Sequence, residues 1–297
     1  MPKVVLAGGT GFVGQAFAAR FGELGAEVKI ISRQAPHIPW EDRSAVVEAL
    51  EGADLLINLA GRSVNCRYTP ENRRLILNSR TETTRQLGES VLACQRPPAL
   101  WINSSTATIY RHAEDRPMTE ESGDIGSGFS VEVAKAWEEA FFAIELPATR
   151  QIALRIAIVL DDGGVMGPLR NLVRFGLGGA QGSGRQQFSW IHMEDLFRIV
   201  RFLQEHPELD GVFNASAPHP VTNRELMASL RGAMGVPVGL PAPRWLLELG
   251  ARLIRTETEL VLKSRWVLPE RLQRAGFHFH YDTLDKALHE IIARKSK

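Results

Sequence analysis

The chain has 297 residues, 35 Lys and Arg against 34 Asp and Glu, a formal net charge of +1, and 44% hydrophobic residues. A balance so near zero excludes general attraction to nucleic acid or an anionic membrane surface, and no uninterrupted apolar stretch is long enough to span a bilayer. Length and apolar content support one large or two modest domains around a sizeable core.

An apolar run at residues 3–7 suits a buried strand and stops at Gly8. A helix pattern starts near Gly11, with Val13, Ala16, Phe17, Phe21 and Leu24 on one face and Gly25 placed as a left-handed cap. Residues 27–31 form a second β-like run, so the start reads as a βαβ unit with a right-handed crossover. Its turn needs glycines for positive φ, for close approach of a pyrophosphate and for tight helix–strand packing. Gly8, Gly11 and Gly14 read as GxxGxxG, and Gly9, Gly11 and Gly14 also satisfy GxGxxG. With Thr10, Phe12 and Val13 they make a candidate phosphate-binding turn at a helix N-terminus.

Ser32 and Arg33 follow the second strand, where an NAD site usually places a carboxylate for the ribose. An arginine there suits a 2′-phosphate and predicts NADP; the alternative is a solvated loop cation. Residues 42–50 read as a short helix ended by Gly52, and 54–59 as a buried strand. That strand runs into Ala60 and Gly61, which with Leu59 are further candidate cofactor contacts at a strand's carboxyl end. A long helix is expected over 70–93 and a strand over 100–103, with the hydroxyl cluster Ser104-Ser105-Thr106 at its end. A polar loop over 117–128 precedes a helix over 131–146, with Val133, Trp137, Ala140 and Phe141 inward.

Residues 152–160 read as one long strand. The glycine-rich chain after it carries Arg170, Arg174 and Arg185. It either wraps an anionic substrate or forms a surface loop. Asp195 is placed to cap a helix through Leu203, and 211–215 returns as a short strand. Thr222 and Glu225 form a capping-box pattern. From there the pattern is helical, with Trp245, Leu246, Leu249 and Leu253 on one face and Leu284, Leu288, Ile291 and Ile292 on another. His192 and Asp195 are two lone ligands and predict no metal site; neither do Cys66 and Cys94, which fit reduced thiols in a cytoplasmic protein. An apolar run cut off by glycines gives no secretory signal at the N-terminus.

The expected fold class is α/β: a Rossmann-type doubly wound parallel sheet with a smaller, mostly helical C-terminal substrate lobe. Residues 1–163 plus 188–215 form the expected cofactor domain, and 164–187 plus 216–297 the lobe.

In Gly8 to Gly14, Asn58 to Gly61, and Ser104 to Tyr110 the chain resembles the extended short-chain dehydrogenase/reductase family, with its nucleotide-sugar epimerases and dehydratases. More narrowly it resembles a subgroup of epimerase-like oxidoreductases, through Ser79-Arg80, residues 182–192, 214–223, and a C-terminal block (269–279) similar to the DUF1731 domain. The resemblance implies an NADP-binding protein acting on a small-molecule substrate. In that family a Ser or Thr at the strand end polarises the reacting oxygen and a Tyr-x-x-x-Lys pair moves the proton and holds the nicotinamide ribose. Thr106 matches the first position and Lys135 the lysine, the two catalytic candidates, whereas Val131 stands at the tyrosine position. Tyr110, Glu132 or a water held by Thr106 are the candidates to replace it. Arg80 stands where the family often has a supporting asparagine, and Phe188 near its diphosphate-binding arginine. A non-catalytic NADP(H)-binding protein is the competing expectation. A homodimer pairing helices 70–93 and 129–146, and a monomer, both stay open.

Overall fold

The computed structural model describes residues 1–243 and 262–295. Strands β1 (Lys3–Ala7), β2 (Glu27–Ile31), β3 (Leu55–Asn58), β4 (Leu100–Thr106), β5 (Arg150–Ile156) and β9 (Gly211–Ala215) form one sheet, in the order β2-β1-β3-β4-β5-β9. All five pairings are parallel. The order reverses between β1 and β3, and ligands of an open α/β sheet bind at such a switch point, outside the carboxyl ends of the strands.

Helices cover both faces. On one, α1 (Phe12–Glu23) and α6 (Met193–Glu205) pack Phe17, Phe21, Leu196, Phe197 and Leu203 on Val4, Leu6, Ile57, Ile102 and Leu154. On the other, α2 (Arg43–Leu50), α3 (Pro70–Leu92) and α4 (Phe129–Phe142) pack Val46, Leu50, Leu87, Val91 and Phe141 on Val5, Leu56 and Trp101. Adjacent strand residues therefore enter opposite cores, which is why these strands are apolar throughout rather than alternating. Each fully buried side chain of this kind contributes about 1.5–3 kcal/mol.

A second unit lies against the carboxyl end. Strand β6 (Ile158–Leu160) pairs with β8 (Trp190–His192), and β7 (Gln187–Phe188) with β10 (Val221–Thr222). Helices α5 (Met166–Arg174), α7 (Asn223–Ala233) and α9 (Leu284–Lys295) enclose Met166, Leu169, Trp190, Met227, Leu230 and Leu288. The short α8 (Glu270–Arg274) packs against β9.

Four expectations are corrected here. The run 152–160 is two strands: Ala157 donates to Ala215, and the next N–H, from Ile158, donates to Ser189. The chain thereby leaves the main sheet for the small one. The glycine-rich stretch contains α5, with Arg170 buried and bonded to Asp162. The cap of α6 is His192, whose Nδ1 accepts from the Glu194 N–H; Asp195 lies inside the first turn. Its carboxylate instead accepts from the backbone of His280 and Tyr281 and from Arg198, clamping the C-terminal segment. Finally, the end of the chain is not helical throughout, since an extended stretch crosses Ser189 and Gln187 before α8. The capping box at Thr222 and Glu225 is present. The face through Trp245, Leu246, Leu249 and Leu253 lies outside the described residues.

Candidate functional site

Glycines of the first turn divide the three roles. Gly8 adopts φ 78°, and a Cβ there would sit 2.7 Å from the Ala60 backbone. Gly14 packs helix on strand, since its Cβ would meet the Gly9 Cα at 2.6 Å. Gly11 alone faces open space: the nearest atom to a Cβ would be the Gly8 oxygen at 3.6 Å. Gly11 is also the N-cap of α1 and provides no side-chain cap, so the first N–H groups of the helix stay open to an anion. This cradle fits a dinucleotide pyrophosphate. Phe12 packs its ring on the Gly163-Gly164 turn, bringing the second unit over the mouth of the site. Val13 packs half-buried against the main core.

Thr10 and Ser32 are brought together, their hydroxyls 3.1 Å apart. Ser32 is buried, and Arg33 beside it is exposed at the end of β2. Leu59 and Ala60 lie against Gly8. Asn58, fully buried, donates to Thr84 and to Asn103 and accepts from the Ala60 N–H, fixing the path into Gly61.

Thr106 ends β4. Its Oγ accepts from the Thr108 N–H, which leaves the hydroxyl proton free to be donated. It lines two cavities, of about 130 Å3 and about 250 Å3. The smaller is walled by Val64, Ile76, Phe129 and Val133, with Arg80 and Trp137. The larger is bounded by Ile156 at the end of β5 and by Ile158, Val165 and Arg265.

The helix α4 turns Ser130, Val133, Ala134 and Trp137 toward Thr106, the i, i+3, i+4, i+7 set of one face. Lys135 is exposed and lines neither cavity, so Thr106 and Lys135 are not brought together. Val131 is buried with Ala107, Ile109, Tyr110 and Met118 and does not line these cavities either. The i, i+4 pair facing Thr106 is Ser130 and Ala134, one residue earlier than the sequence match suggests. Glu132 is exposed. Tyr110 is buried, with its hydroxyl between Asn214 at 2.9 Å and Arg155 at 2.8 Å, and burial pushes its pKa up. It lines neither cavity beside Thr106.

Sequence reasoning passed over Trp137 as a site residue, though its inward spacing with Val133 was the usable signal. Arg80 is held between the Trp137 ring, 5.1 Å from its Cζ, and Gly61, where a Cβ would stand 3.0 Å from that atom. Burial pushes its guanidinium down to about 10. Arg185 is exposed, 3.9 Å from Glu114, and Phe188 pairs with Val221. No group of three His, Cys, Asp or Glu among the described residues could hold a metal ion, and no described helix is long and apolar enough to cross a membrane.

Comparison with known proteins places the fold and the family. The NAD dependent epimerase/dehydratase family matches residues 4–130, and a domain of unknown function, DUF1731, matches 242–291. The epimerase family protein YfhF of Bacillus subtilis is 31% identical over 301 residues, 98% of each chain. The crystal structure of the human epimerase family protein SDR39U1 with NADPH superposes with a TM-score of 0.89 at 30% identity, over 98% of this chain and 99% of that one. A nucleoside-diphosphate sugar epimerase from Corynebacterium glutamicum gives 0.79 at 28% identity, over 99% of this chain and 59% of its own.

Proposed function

Because the chain belongs to the NAD-dependent epimerase/dehydratase family of the short-chain dehydrogenase/reductase superfamily, we propose that it binds NADP(H) and acts as an oxidoreductase or epimerase. Its substrate is a small hydroxyl or carbonyl compound, nucleotide-linked sugars being one class to test. The observation that carries this reading is the Thr106 hydroxyl at a strand end, lining two cavities and donating to no acceptor among the described residues. NADP rather than NAD is supported by Arg33 at the end of β2, where no carboxylate stands, and by the NADPH bound to the human relative. We assign residues 1–163 and 188–215 to the cofactor domain and 164–187 with 216–297 to the substrate lobe, with β6 and β8 as the strands of the first set that pack into the second unit.

When bound, the nicotinamide supplies or takes up hydride. Thr106 donates a hydrogen bond to the substrate oxygen on which charge develops, and apolar walls keep water from it. Among the described residues no tyrosine–lysine pair of α4 faces Thr106, which favours a second reading: an NADP(H)-binding protein without turnover. Following NADPH oxidation across a panel of carbonyl compounds separates the two. The enzyme reading expects turnover that falls about 10²-fold in Thr106→Ala. Tight NADPH binding with no turnover of any carbonyl establishes the second reading.

A further inference from the structure

Arg80 is a half-buried cation at the wall of the smaller cavity. Its Nη1 donates to the carbonyl oxygens of Arg62 and Ile76, at 3.1 and 3.0 Å. Among the described residues its Nε and Nη2 donate to no protein atom and no carboxylate pairs with it. Two features hold the guanidinium in place: the indole of Trp137 on one side and the bare Gly61 on the other. Trp137 is itself fixed, its Nε1 donating to Thr84 at 3.0 Å. A partly desolvated charge that no described carboxylate pairs with is better satisfied when a ligand brings an anion to it. The planar fork of arginine is suited to a carboxylate, which it grips through two parallel hydrogen bonds.

We propose that Arg80 makes the small cavity beside Thr106 a receptor for a carboxylate, so that the substrate is a short oxo or hydroxy acid with an apolar body. This rests on Thr106 marking the substrate site. Arg80 supplies the charge, Thr106 addresses the neighbouring oxygen, and Val64, Ile76, Phe129 and Val133 receive the tail. A cavity of about 130 Å3 suits a ligand of a few heavy atoms. The other source of anionic groups is the cofactor, but its expected phosphate contacts lie at Gly11 and Arg33, at the ends of β1 and β2. Arg80 is carried by α3 and reaches Gly61, beyond β3; Gly61 is itself a candidate cofactor contact, so NADPH affinity is measured beside acid affinity.

The test is calorimetric titration of the NADP⁺-saturated protein with 2-oxobutanoate and with its neutral methyl ester, followed by a panel of three- to six-carbon oxo acids. The acid should bind at least tenfold more tightly than the ester. Arg80→Gln should weaken acid binding on the order of ten- to a hundredfold, and Arg80→Lys, which keeps the charge but not the fork, at least tenfold. NADPH affinity should be unchanged in both variants, each shown to be folded by a cooperative thermal transition. Equal binding of acid and ester, or no binding of any acid, overturns the proposal, and does so on the wild type even where Arg80→Gln does not fold. A loss of NADPH affinity as large as the loss of acid affinity also overturns it, assigning Arg80 to the cofactor. Failure of the enzyme reading is a different result: acids bind through Arg80 while NADPH is never oxidised. Turnover of neutral ketones with no acid preference does the reverse.

Discussion

Arg33 and Ser32 show how one side chain sets cofactor choice. Ser32 is buried and bonded to Thr10 of the glycine turn, so the backbone at the end of β2 is fixed and Arg33 is carried outward from a rigid base. Charge-assisted contact with a 2′-phosphate is worth about 1.5–3 kcal/mol. Arg33→Ala should therefore narrow the preference for NADPH over NADH by about tenfold or more, measured by fluorescence titration; equal affinities in the wild type would remove the assignment. His192 gives a pH-dependent expectation. Burial, opposed by Glu290, holds its pKa below the ordinary 6.5, and Nδ1 is already used as an acceptor for the α6 cap. A base with a depressed folded pKa stabilises the fold fully above its unfolded value, and the contribution is lost as pH falls through the lower folded one. The Tm should drop more between pH 7.5 and 5.5 in the wild type than in His192→Asn, which keeps a good cap. At this scale the sequence is readable for the backbone geometry of Gly8 and Gly14, because backbone demands act locally. Lys135 is not: the motif spacing accepts it, but the inward set Val133, Trp137, Ala140 and Phe141 already points the helix elsewhere.

Helix α1 and its turn offer a paired comparison of near-identical substitutions. At Gly14 a Cβ would press on Gly9 at 2.6 Å, and backbone cannot rotate away, so Gly14→Ala should lower stability by roughly 1–3 kcal/mol. At Gly11 the same methyl meets nothing closer than 3.6 Å, so Gly11→Ala should leave the Tm in place and weaken NADPH binding instead. Denaturation and cofactor titration of both proteins check the split; a Tm loss in Gly11→Ala equal to that in Gly14→Ala would refute it. Elements with a clear period, such as α1, α3 and the capped α7, are legible because the pattern reports burial directly. The break at Ala157 is not, since Ile156 and Ile158 are both apolar and only the strand partner changes. Helix α5 is hidden by its own glycines and by Pro168, which the first turn of a helix tolerates.

Across the molecule, a buried polar cluster joins β4, β5 and β9 of the main sheet to the C-terminal chain. Arg155 of β5 grips Glu138 of α4 at 2.8 and 2.7 Å, and Ser105 donates to the same carboxylate. Arg155 also donates to Tyr110, which reaches Asn214 of β9, whose Nδ2 donates to the Leu268 carbonyl. Removing one member of a buried pair leaves the other uncompensated. Arg155→Met should therefore cost about 3–5 kcal/mol, and the double change with Glu138→Leu distinctly less, as read by urea denaturation. Additive losses would mean that the pair is not coupled. None of these partners is adjacent in sequence, so composition alone gave no warning of them. The departure of the chain at Ala157 has one more consequence, for how the protein is made. Strand β9 emerges from the ribosome only after β6, α5, β8 and α6, so the main sheet waits for its last strand while the intervening chain is already committed to the second unit. The two units are interlaced rather than strung in tandem. Recombination with a break between β6 and β9 would therefore divide both units at once, whereas a break before Ala157 would leave the second unit whole.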